Sequence, residues 1–320
     1  MTTAVIALIA LLLVAAAGFT AYLSWTTHRI ASRSEAQIPM AGKTVSIGGD
    51  RIHYVDQGKG RPILFVHGLG GQLHHFRHPL FSVMGEGYRL VAIDRAGSGY
   101  STRVSSGARI PEQADLIAKF IDALGLEKPL LVGHSLGGAI ALRVALDHPD
   151  RISGLALISP LTHFIPTPPK EFGGLYIRSP LMRRVVANTL AVPASLKNAQ
   201  QTLDFVFGPQ PVPAEYAIAG GGYLGLRPSH FHATSSDLVA VEQDLPQQVG
   251  RYGEIRMPVG ILFGSRDRVL HHTHHGLAMQ GKIEGIDIEI LDGIGHMPQF
   301  VEAEKVASFI RRIADRAFAA

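Results

Sequence analysis

The sequence predicts a doubly wound α/β domain with a mostly parallel sheet, a helical insertion and an N-terminal membrane helix. Three observations lead to this prediction. Short apolar runs recur along the chain, as in strands that are buried on both faces. Amphipathic segments separate these runs, and strands that alternate with helices form parallel sheets. The first part of the chain, residues 4–25, contains no charged residue.

The N-terminal apolar run is long enough to cross a bilayer, since a spanning helix needs about 20 residues. Tyr22 and Trp25 end the run with aromatic side chains of the kind found at membrane interfaces. We therefore predict a membrane anchor over 1–27 and a linker over 28–42.

Basic side chains follow the run at His28, Arg29 and Arg33. The positive-inside tendency then predicts a single-pass protein whose main domain is cytoplasmic. A cleaved signal peptide is the alternative, and it would leave a secreted or periplasmic domain. Ala15-Ala16-Ala17 would allow cleavage, but Met1-Thr2-Thr3 lacks a basic start and the apolar run is longer than a signal requires.

The remaining strands and helices can be predicted in order. Residues 43–56 predict two short strands around a turn at 47–50. Six apolar runs follow, at 63–66, 90–93, 130–132, 155–158, 259–263 and 286–291. Helices are predicted at 73–84, 111–124, 136–147 and 301–318.

The alternation of strands and helices stops between 161 and 249, where Pro and Gly are dense and no buried-strand run occurs. We predict a helical cap over 161–249, inserted into a core formed by 43–160 and 250–320. Pro160 and Met257-Pro258 mark its two ends.

The composition excludes several classes of protein. The chain has 320 residues and no cysteine, which rules out disulfides, a thiolate nucleophile and a Cys-based zinc site. Its net charge of +4 comes from scattered Lys and Arg residues rather than a basic block, so we do not predict nucleic-acid binding. The positive charge favours solubility and attraction to an anionic membrane surface.

The pentapeptide Gly133-His134-Ser135-Leu136-Gly137 lies between a predicted strand and a predicted helix. A sharp strand-to-helix turn needs small residues on both sides and exposes the serine hydroxyl. The new helix directs its free N–H groups, first that of Leu136, at an approaching oxyanion. The pattern predicts that Ser135 is a nucleophile.

A second glycine-rich turn, His67-Gly68-Leu69-Gly70-Gly71, follows the run at 63–66. The N–H groups of Leu69 and Leu136 would form an oxyanion hole with two donors. Phosphate binding is disfavoured because neither of the glycine-rich phosphate motifs is present at this turn.

A serine nucleophile needs a base, and the base needs an acid that orients it. Asp267 follows the run at 259–263, and His296 follows the run at 286–291. Asp267 would accept from one ring nitrogen of His296 while the other takes the Ser135 proton. Alone, Asp267 could cap a turn and His296 could be a loop histidine, but their order at successive strand ends favours a triad.

These motifs, with the loop Asp94-Arg95-Ala96-Gly97-Ser98-Gly99-Tyr100-Ser101, resemble those of the α/β-hydrolase superfamily. The resemblance covers about 43–319. It implies an eight-stranded sheet with helices on both faces, an antiparallel second strand and a cap after the sixth strand. It also implies a triad of Ser135, Asp267 and His296, with Leu69 and Leu136 as oxyanion donors.

Other polar residues have structural interpretations. Asp94 and Arg95 are expected to brace loops, because the triad already has its acid. Histidines cluster at 74, 75 and 78 and at 271, 272, 274 and 275, but no H-E-x-x-H pattern accompanies them. We therefore predict neither a metal nor a cofactor.

A serine nucleophile predicts attack on an acyl carbon and an acyl-enzyme. Epoxide hydrolases and haloalkane dehalogenases of the superfamily attack an sp³ carbon with a carboxylate, where serine would leave a stable ether. With the anchor, this predicts a serine esterase for lipophilic esters, similar to monoacylglycerol lipases. Thioester, lactone and carbon-carbon bond hydrolysis, acyl transfer and cofactor-free haloperoxidase chemistry remain alternatives, as does a non-catalytic protein that binds small molecules.

Overall fold

The computed structural model describes residues 3–319, so Met1, Thr2 and Ala320 of the predicted anchor and core lie outside it. Eight strands form one sheet in the order β1-β2-β4-β3-β5-β6-β7-β8. They are β1 (Lys43–Ile47), β2 (Asp50–Gly58), β3 (Arg61–Val66), β4 (Tyr88–Ile93), β5 (Leu130–His134), β6 (Gly154–Ile158), β7 (Val259–Gly264) and β8 (Asp287–Leu291).

The sheet is mostly parallel, as the sequence predicts. Strand β2 is antiparallel to both of its neighbours, β1 and β4, and the other neighbouring pairs are parallel. The α/β-hydrolase fold class is therefore confirmed. Parallel strands direct their carboxyl ends to one edge, where functional groups gather in open α/β sheets.

Ten α-helices occur among the described residues. They are α1 (Thr3–Gln37), α2 (His74–Leu80), α3 (Ile110–Ala123), α4 (Leu136–Asp147), α5 (Pro180–Ala187), α6 (Ala191–Phe207), α7 (Pro228–Val249), α8 (His272–His275), α9 (Pro298–Val301) and α10 (Ala303–Ala319). Each of the four predicted core helices is present. Helix α2 is shorter than the predicted 73–84, and the helix predicted at 301–318 corresponds to α10, which the short helix α9 precedes.

Helices cover both faces of the sheet, and the strands divide their side chains between two cores. Leu64 and Val66 of β3 belong to the core that contains α3 and α4. Ile63 and Phe65 of the same strand belong to the core that contains α2 and α10. Successive residues of a strand point to opposite faces, so a continuous apolar run supplies both cores at once.

The insertion between β6 and β7 is helical and contains α5, α6 and α7. Its helices agree with the predicted cap, while the boundaries of the anchor, core and cap remain predictions. Three ion pairs join α7 to the core: Arg95 and Arg103 both pair with Asp237, and Arg109 pairs with Asp244.

The predicted linker over 28–42 differs from the structure, because α1 continues without a break to Gln37. Residues 28–37 include Arg, Ala, Glu and Gln, all good helix formers. Ala31, Ser34 and Ile38 are also buried, which indicates that this part of the helix packs against the rest of the molecule. Polarity therefore marks the end of the apolar run but not the end of the helix.

Candidate active site

The turn at Ser135 joins β5 to α4 with a backbone that few residues adopt. Ser135 has φ 53° and ψ −120° and lies immediately before the first residue of α4. A Cβ built on Gly137 would lie 2.1 Å from the carbonyl oxygen of Val66 on the neighbouring strand, and one on Gly133 would lie 2.6 Å from the Gly137 carbonyl oxygen. The glycines therefore allow the close backbone contacts that hold Ser135 in this conformation.

Asp267 and His296 come from the ends of β7 and β8 and form a buried pair. The Nδ1 atom of His296 lies 2.7 Å from Oδ2 of Asp267. The other oxygen, Oδ1, accepts hydrogen bonds from the N–H groups of Val269 at 2.8 Å and Leu270 at 2.9 Å. These donors fix the carboxylate, which in turn fixes the imidazole and leaves Nε2 for another partner.

His134, inside the pentapeptide, contacts the backbone of His296. Its Nε2 lies 3.0 Å from the carbonyl oxygen of His296, and the two rings are 4.8 Å apart between centroids. Burial lowers the pKa of His134 well below its usual range, and the proximity of His296 lowers it further. A neutral His134 can donate from Nε2 to that carbonyl, so its contact is a structural hydrogen bond.

One cavity brings most of the predicted site residues together. It has a volume of about 950 Å³, and Ser135, His296, Leu69 and Leu136 all line it. Asp267 lies behind His296 through their hydrogen bond. The five residues thus meet at the carboxyl edge of the sheet, and their catalytic roles remain predictions.

The turn at 67–71 lies directly against the serine. A Cβ built on Gly68 would be 2.8 Å from the Cβ of Ser135, so only glycine fits between the two loops. Leu69 follows Gly68 and lines the cavity beside Leu136. This arrangement allows backbone N–H groups from two loops to approach the same oxyanion.

The cavity is lined mainly by apolar residues and has little cationic character. None of the described residues that line it is Lys or Arg, while Glu171 and Asp204 contribute carboxylates. His75 and His230 also line it, and burial lowers the pKa of His75 to about 3 and that of His230 to about 4. Both imidazoles are therefore neutral near pH 7, so the wall suits an apolar, uncharged group.

Several residues of the site were not predicted from the sequence. Tyr216, His230 and Thr234 belong to the cap and line the cavity, but no motif marks them. Asp237 of α7 is also unmarked, although it is buried and pairs with Arg95. Long-range contacts of this kind have no fixed spacing in the sequence and cannot be predicted from periodicity.

The histidines of the two clusters make contacts of their own, and His75 also lines the cavity. Within residues 3–319, no group of three or more His, Asp or Glu side chains is arranged to hold a metal ion. His75 lies 3.3 Å from the Tyr216 hydroxyl, and His275 accepts backbone contacts from residues 162 and 163.

A mostly parallel sheet, a helical insertion and a serine at a strand-to-helix turn together define the α/β-hydrolase class. The chain belongs to this family: the model described as the alpha/beta hydrolase fold matches residues 61–303.

Known relatives show the range of activities within the family. A 2-hydroxy-6-oxononadienedioate/2-hydroxy-6-oxononatrienedioate hydrolase of Burkholderia vietnamiensis is 28% identical over 82% of this chain and 91% of its own. A dihydrolipoyllysine-residue acetyltransferase component of the acetoin cleaving system from Cupriavidus necator is 35% identical, but the match spans 40% of this chain and 34% of the relative. The crystal structure of a membrane phospholipase A, a bacterial virulence factor, matches with a TM-score of 0.70 and 25% identity over 100% of both chains.

Proposed function

We propose that the protein is a membrane-anchored serine hydrolase that cleaves a lipophilic, uncharged carboxylic ester such as an acylglycerol. The observation that carries this proposal is Ser135 on its strained turn, in one apolar cavity with a His296 that is held by Asp267. The membership of the family makes hydrolysis the expected type of reaction, and the residues of the cavity narrow the substrate.

The reaction follows from the positions of these groups. Ser135 Oγ attacks the acyl carbon while His296 Nε2 takes the hydroxyl proton, since Nδ1 is engaged by Asp267. The N–H groups of Leu69 and Leu136 stabilise the oxyanion. Collapse breaks the ester bond, and His296 gives its proton to the departing alcohol. Water then attacks the acyl-enzyme, loses a proton to His296 and releases the carboxylic acid and free Ser135.

The charge of the cavity favours a neutral ester over an anionic substrate. The Burkholderia vietnamiensis relative is named for acting on a dicarboxylate. The cavity here has no Lys or Arg among its described lining residues and has Glu171 and Asp204 instead. Two substrate carboxylates would lose water without gaining cationic partners, which is costly. This difference makes hydrolysis of a dicarboxylate by carbon-carbon bond cleavage the less favoured alternative.

The likeness to a membrane phospholipase A supports work at a membrane surface, as does helix α1. Within residues 3–319, α1 is the one helix that is long and apolar enough to cross a bilayer. Several cap residues are apolar and exposed, namely Leu181, Met182, Val185, Leu190 and Leu196. Leu190 and Leu196 also line the cavity, so part of its wall reaches the surface at exposed apolar side chains. Such a surface would take a lipophilic substrate directly from lipid.

Labelling with a fluorophosphonate tests whether Ser135 is an activated nucleophile. We expect the full chain to form a covalent adduct at Ser135, and Ser135→Ala to remain unlabelled and lose ester hydrolysis. Ser159→Ala serves as a matched control, because Ser159 is a buried serine at the end of the next strand. The proposal fails if the folded protein is unlabelled, or if labelling does not depend on Ser135, which would favour a non-catalytic binding protein.

A series of esters with increasing acyl length, presented in vesicles, tests the substrate class. Activity should rise with acyl length, and an added alcohol with product analysis separates hydrolysis from acyl transfer. Placing charges in α1 with Leu12→Lys and Val14→Lys opposes insertion by about 2.5–3.5 kcal/mol per charge. We expect this double variant to leave the membrane and lose activity on vesicles but to retain activity on a short soluble ester.

Val104→Lys is the control for added charge, since Val104 is highly exposed on the core. Activity that falls with acyl length, together with unchanged activity of the α1 variant on vesicles, would overturn the lipid-directed part of the proposal and leave the serine hydrolase intact.

The positive-inside tendency supports a cytoplasmic position for the hydrolase domain. Because the chain has no cysteine, Lys119→Cys places a single exposed thiol on the core. A maleimide that cannot cross membranes should label this variant only after the cells are permeabilised. Labelling of intact cells, with a shortened N-terminus found by mass spectrometry, would instead support a cleaved signal and an external domain.

A further inference from the structure

Arg95 is a fully buried arginine that connects the cap to the turn beside Ser135. It follows strand β4, and its side chain donates in three directions. Nε donates to the carbonyl oxygen of His67 at 3.0 Å, and Nη2 donates to that of Gly68 at 2.9 Å. Nη1 lies 2.7 Å from Oδ2 of Asp237 on cap helix α7. A rigid planar fork therefore joins two adjacent carbonyls of the core to one carboxylate of the cap.

The Gly68 carbonyl and the Leu69 N–H belong to the same peptide group. A trans peptide is planar, and its C=O and N–H point in opposite directions. Whatever holds the Gly68 oxygen therefore also determines where the Leu69 N–H points. That N–H is the donor that the oxyanion hole requires from this turn.

Among the described residues, three donors hold the Gly68 oxygen. Besides Arg95, it accepts from Nδ1 of His67 at 2.9 Å and from the N–H of Gly71 at 3.2 Å. His67 Nε2 accepts from the backbone N–H of Arg95 at 2.9 Å. Burial lowers the pKa of His67 well below its usual range, as does the nearby Arg95. His67 thus stays neutral, with its proton on Nδ1, and supports the same carbonyl.

Asp237 supplies the connection from the cap. Its side chain is buried, and Oδ1 pairs with Arg103 at 2.8 Å while Oδ2 pairs with Arg95. Gln113 of α3 contacts both Arg95 and Asp237. A displacement of α7 moves this carboxylate, and the guanidinium must follow it or leave a buried charge unpaired.

We propose that Arg95 is a positioning residue through which the cap orients the Leu69 N–H, so that the oxyanion hole is complete only when α7 is seated. This inference rests on the proposed serine hydrolase function and adds a link between cap and reaction. The cap then does more than form the wall of the cavity, because its position determines how well the transition state is stabilised.

Two buried aspartates of α7 provide a matched test. Asp237 pairs with Arg95. Asp244 instead pairs with Arg109 and accepts a hydrogen bond from the N–H of Ile110, and neither of these partners belongs to the turn at 67–71. Both aspartates fasten the cap to the core through ion pairs, but only Asp237 is linked to the Gly68 carbonyl, through Arg95. Asp237→Asn and Asp244→Asn can therefore be compared in the full chain, with thermal unfolding of each measured alongside.

We expect Asp237→Asn to lower kcat for an ester about 10- to 100-fold, somewhat less than the 10²- to 10³-fold cost of deleting an oxyanion donor. KM should change little. The loss should be smaller for the matching thionoester, because sulfur is a weak acceptor and gains less from the donors. Asp244→Asn should leave the ratio of ester to thionoester rates unchanged.

Arg95→Lys gives a second, independent variant, since lysine keeps the charge beside Asp237 but lacks the fork that reaches both carbonyls. It should show the same selective loss on the ester. The inference is overturned if either folded variant loses ester and thionoester activity equally, or if the Asp244→Asn protein behaves like the Asp237→Asn protein. Failure of the serine hydrolase proposal would look different, because the unsubstituted protein would then remain unlabelled at Ser135.

Discussion

At the level of single residues, the site depends on glycines that lack a Cβ atom. Ser135 has a positive φ, a conformation that costs about 1–3 kcal/mol outside glycine and persists only where the surroundings enforce it. Those surroundings are close contacts at Gly68, Gly133 and Gly137, where an added Cβ would lie 2.8, 2.6 and 2.1 Å, respectively, from the nearest neighbouring atom. The strain of one residue is thus offset by the absence of Cβ atoms at three others.

Substitution of Gly137 tests this dependence. Gly137→Ala would place a Cβ 2.1 Å from the Val66 carbonyl oxygen, which forces β3 and the turn apart. We expect the free energy of unfolding to fall by about 1–3 kcal/mol, as in other overpacked sites, with loss of labelling at Ser135. Urea unfolding of the full chain in detergent measures the change.

Gly173→Ala is the control, because a Cβ at Gly173 would meet no atom of the described residues within 4 Å. It should change the free energy of unfolding by no more than about 0.5 kcal/mol. Equal unfolding midpoints for the two variants would show that the turn tolerates a side chain, contrary to the geometry.

At the scale of elements, α1 combines an exposed apolar half with a half that packs on the protein. The Thr27 hydroxyl donates to the carbonyl oxygen of Thr189 at 2.6 Å, just beyond cap helix α5. Glu35 pairs with Arg227 at the start of α7, and the Tyr100 hydroxyl donates to the Ile38 carbonyl oxygen. The helix thus contacts the cap, and Ile38, the residue just after it, contacts the loop after β4.

Removal of the Thr27 hydroxyl measures how tightly α1 is docked. Thr27→Val keeps the shape of the side chain but withdraws a buried donor from the Thr189 carbonyl, at a cost of about 1–3 kcal/mol. We expect a lower Tm for the full chain in detergent. Thr20→Val is the control on the same helix, because the exposed Thr20 hydroxyl donates to the Ala16 carbonyl oxygen within α1 itself. Identical Tm values for the two variants would contradict docking through Thr27.

The strands and the positions of Ser135, Asp267 and His296 could be predicted because local signals mark them. Each apolar run supplies two cores at once, and each motif stands directly after a run. The docked half of α1 could not be predicted, since its polar sequence resembles a linker and its burial depends on cap residues far along the chain. The same holds for Asp237, whose importance arises from contact with Arg95 rather than from any pattern.

At the scale of the whole molecule, the structure buries many histidines in neutral form. Burial is the main cause that lowers their pKa values, to about 3 for His75 and His275 and about 4 for His74 and His230. In the unfolded chain these groups take up protons near pH 6.5. The folded state then binds fewer protons than the unfolded state between about pH 6.5 and 4, so its stability falls as pH falls through this window.

Unfolding at several pH values checks this expectation. At pH 5, each fully buried histidine such as His75 or His230 should destabilise the fold by about 2 kcal/mol relative to pH 7.5. We expect the urea midpoint to drop across this range, and His75→Gln to reduce the slope. His271→Gln, at an exposed position, is the control for the substitution itself. A urea midpoint that does not depend on pH would contradict the conclusion that these histidines are buried in the neutral form.

The unbroken length of α1 makes bilayer thickness a variable for this protein. The helix runs from Thr3 to Gln37, about 50 Å, as one rod from its apolar end to its contacts with the cap. A spanning helix tilts when its apolar length exceeds the local hydrocarbon thickness. If the proposed anchor is inserted, a change in tilt would also move Thr27 and Glu35, the residues of α1 that contact the cap. The thickness of the bilayer would then affect the position of the cap.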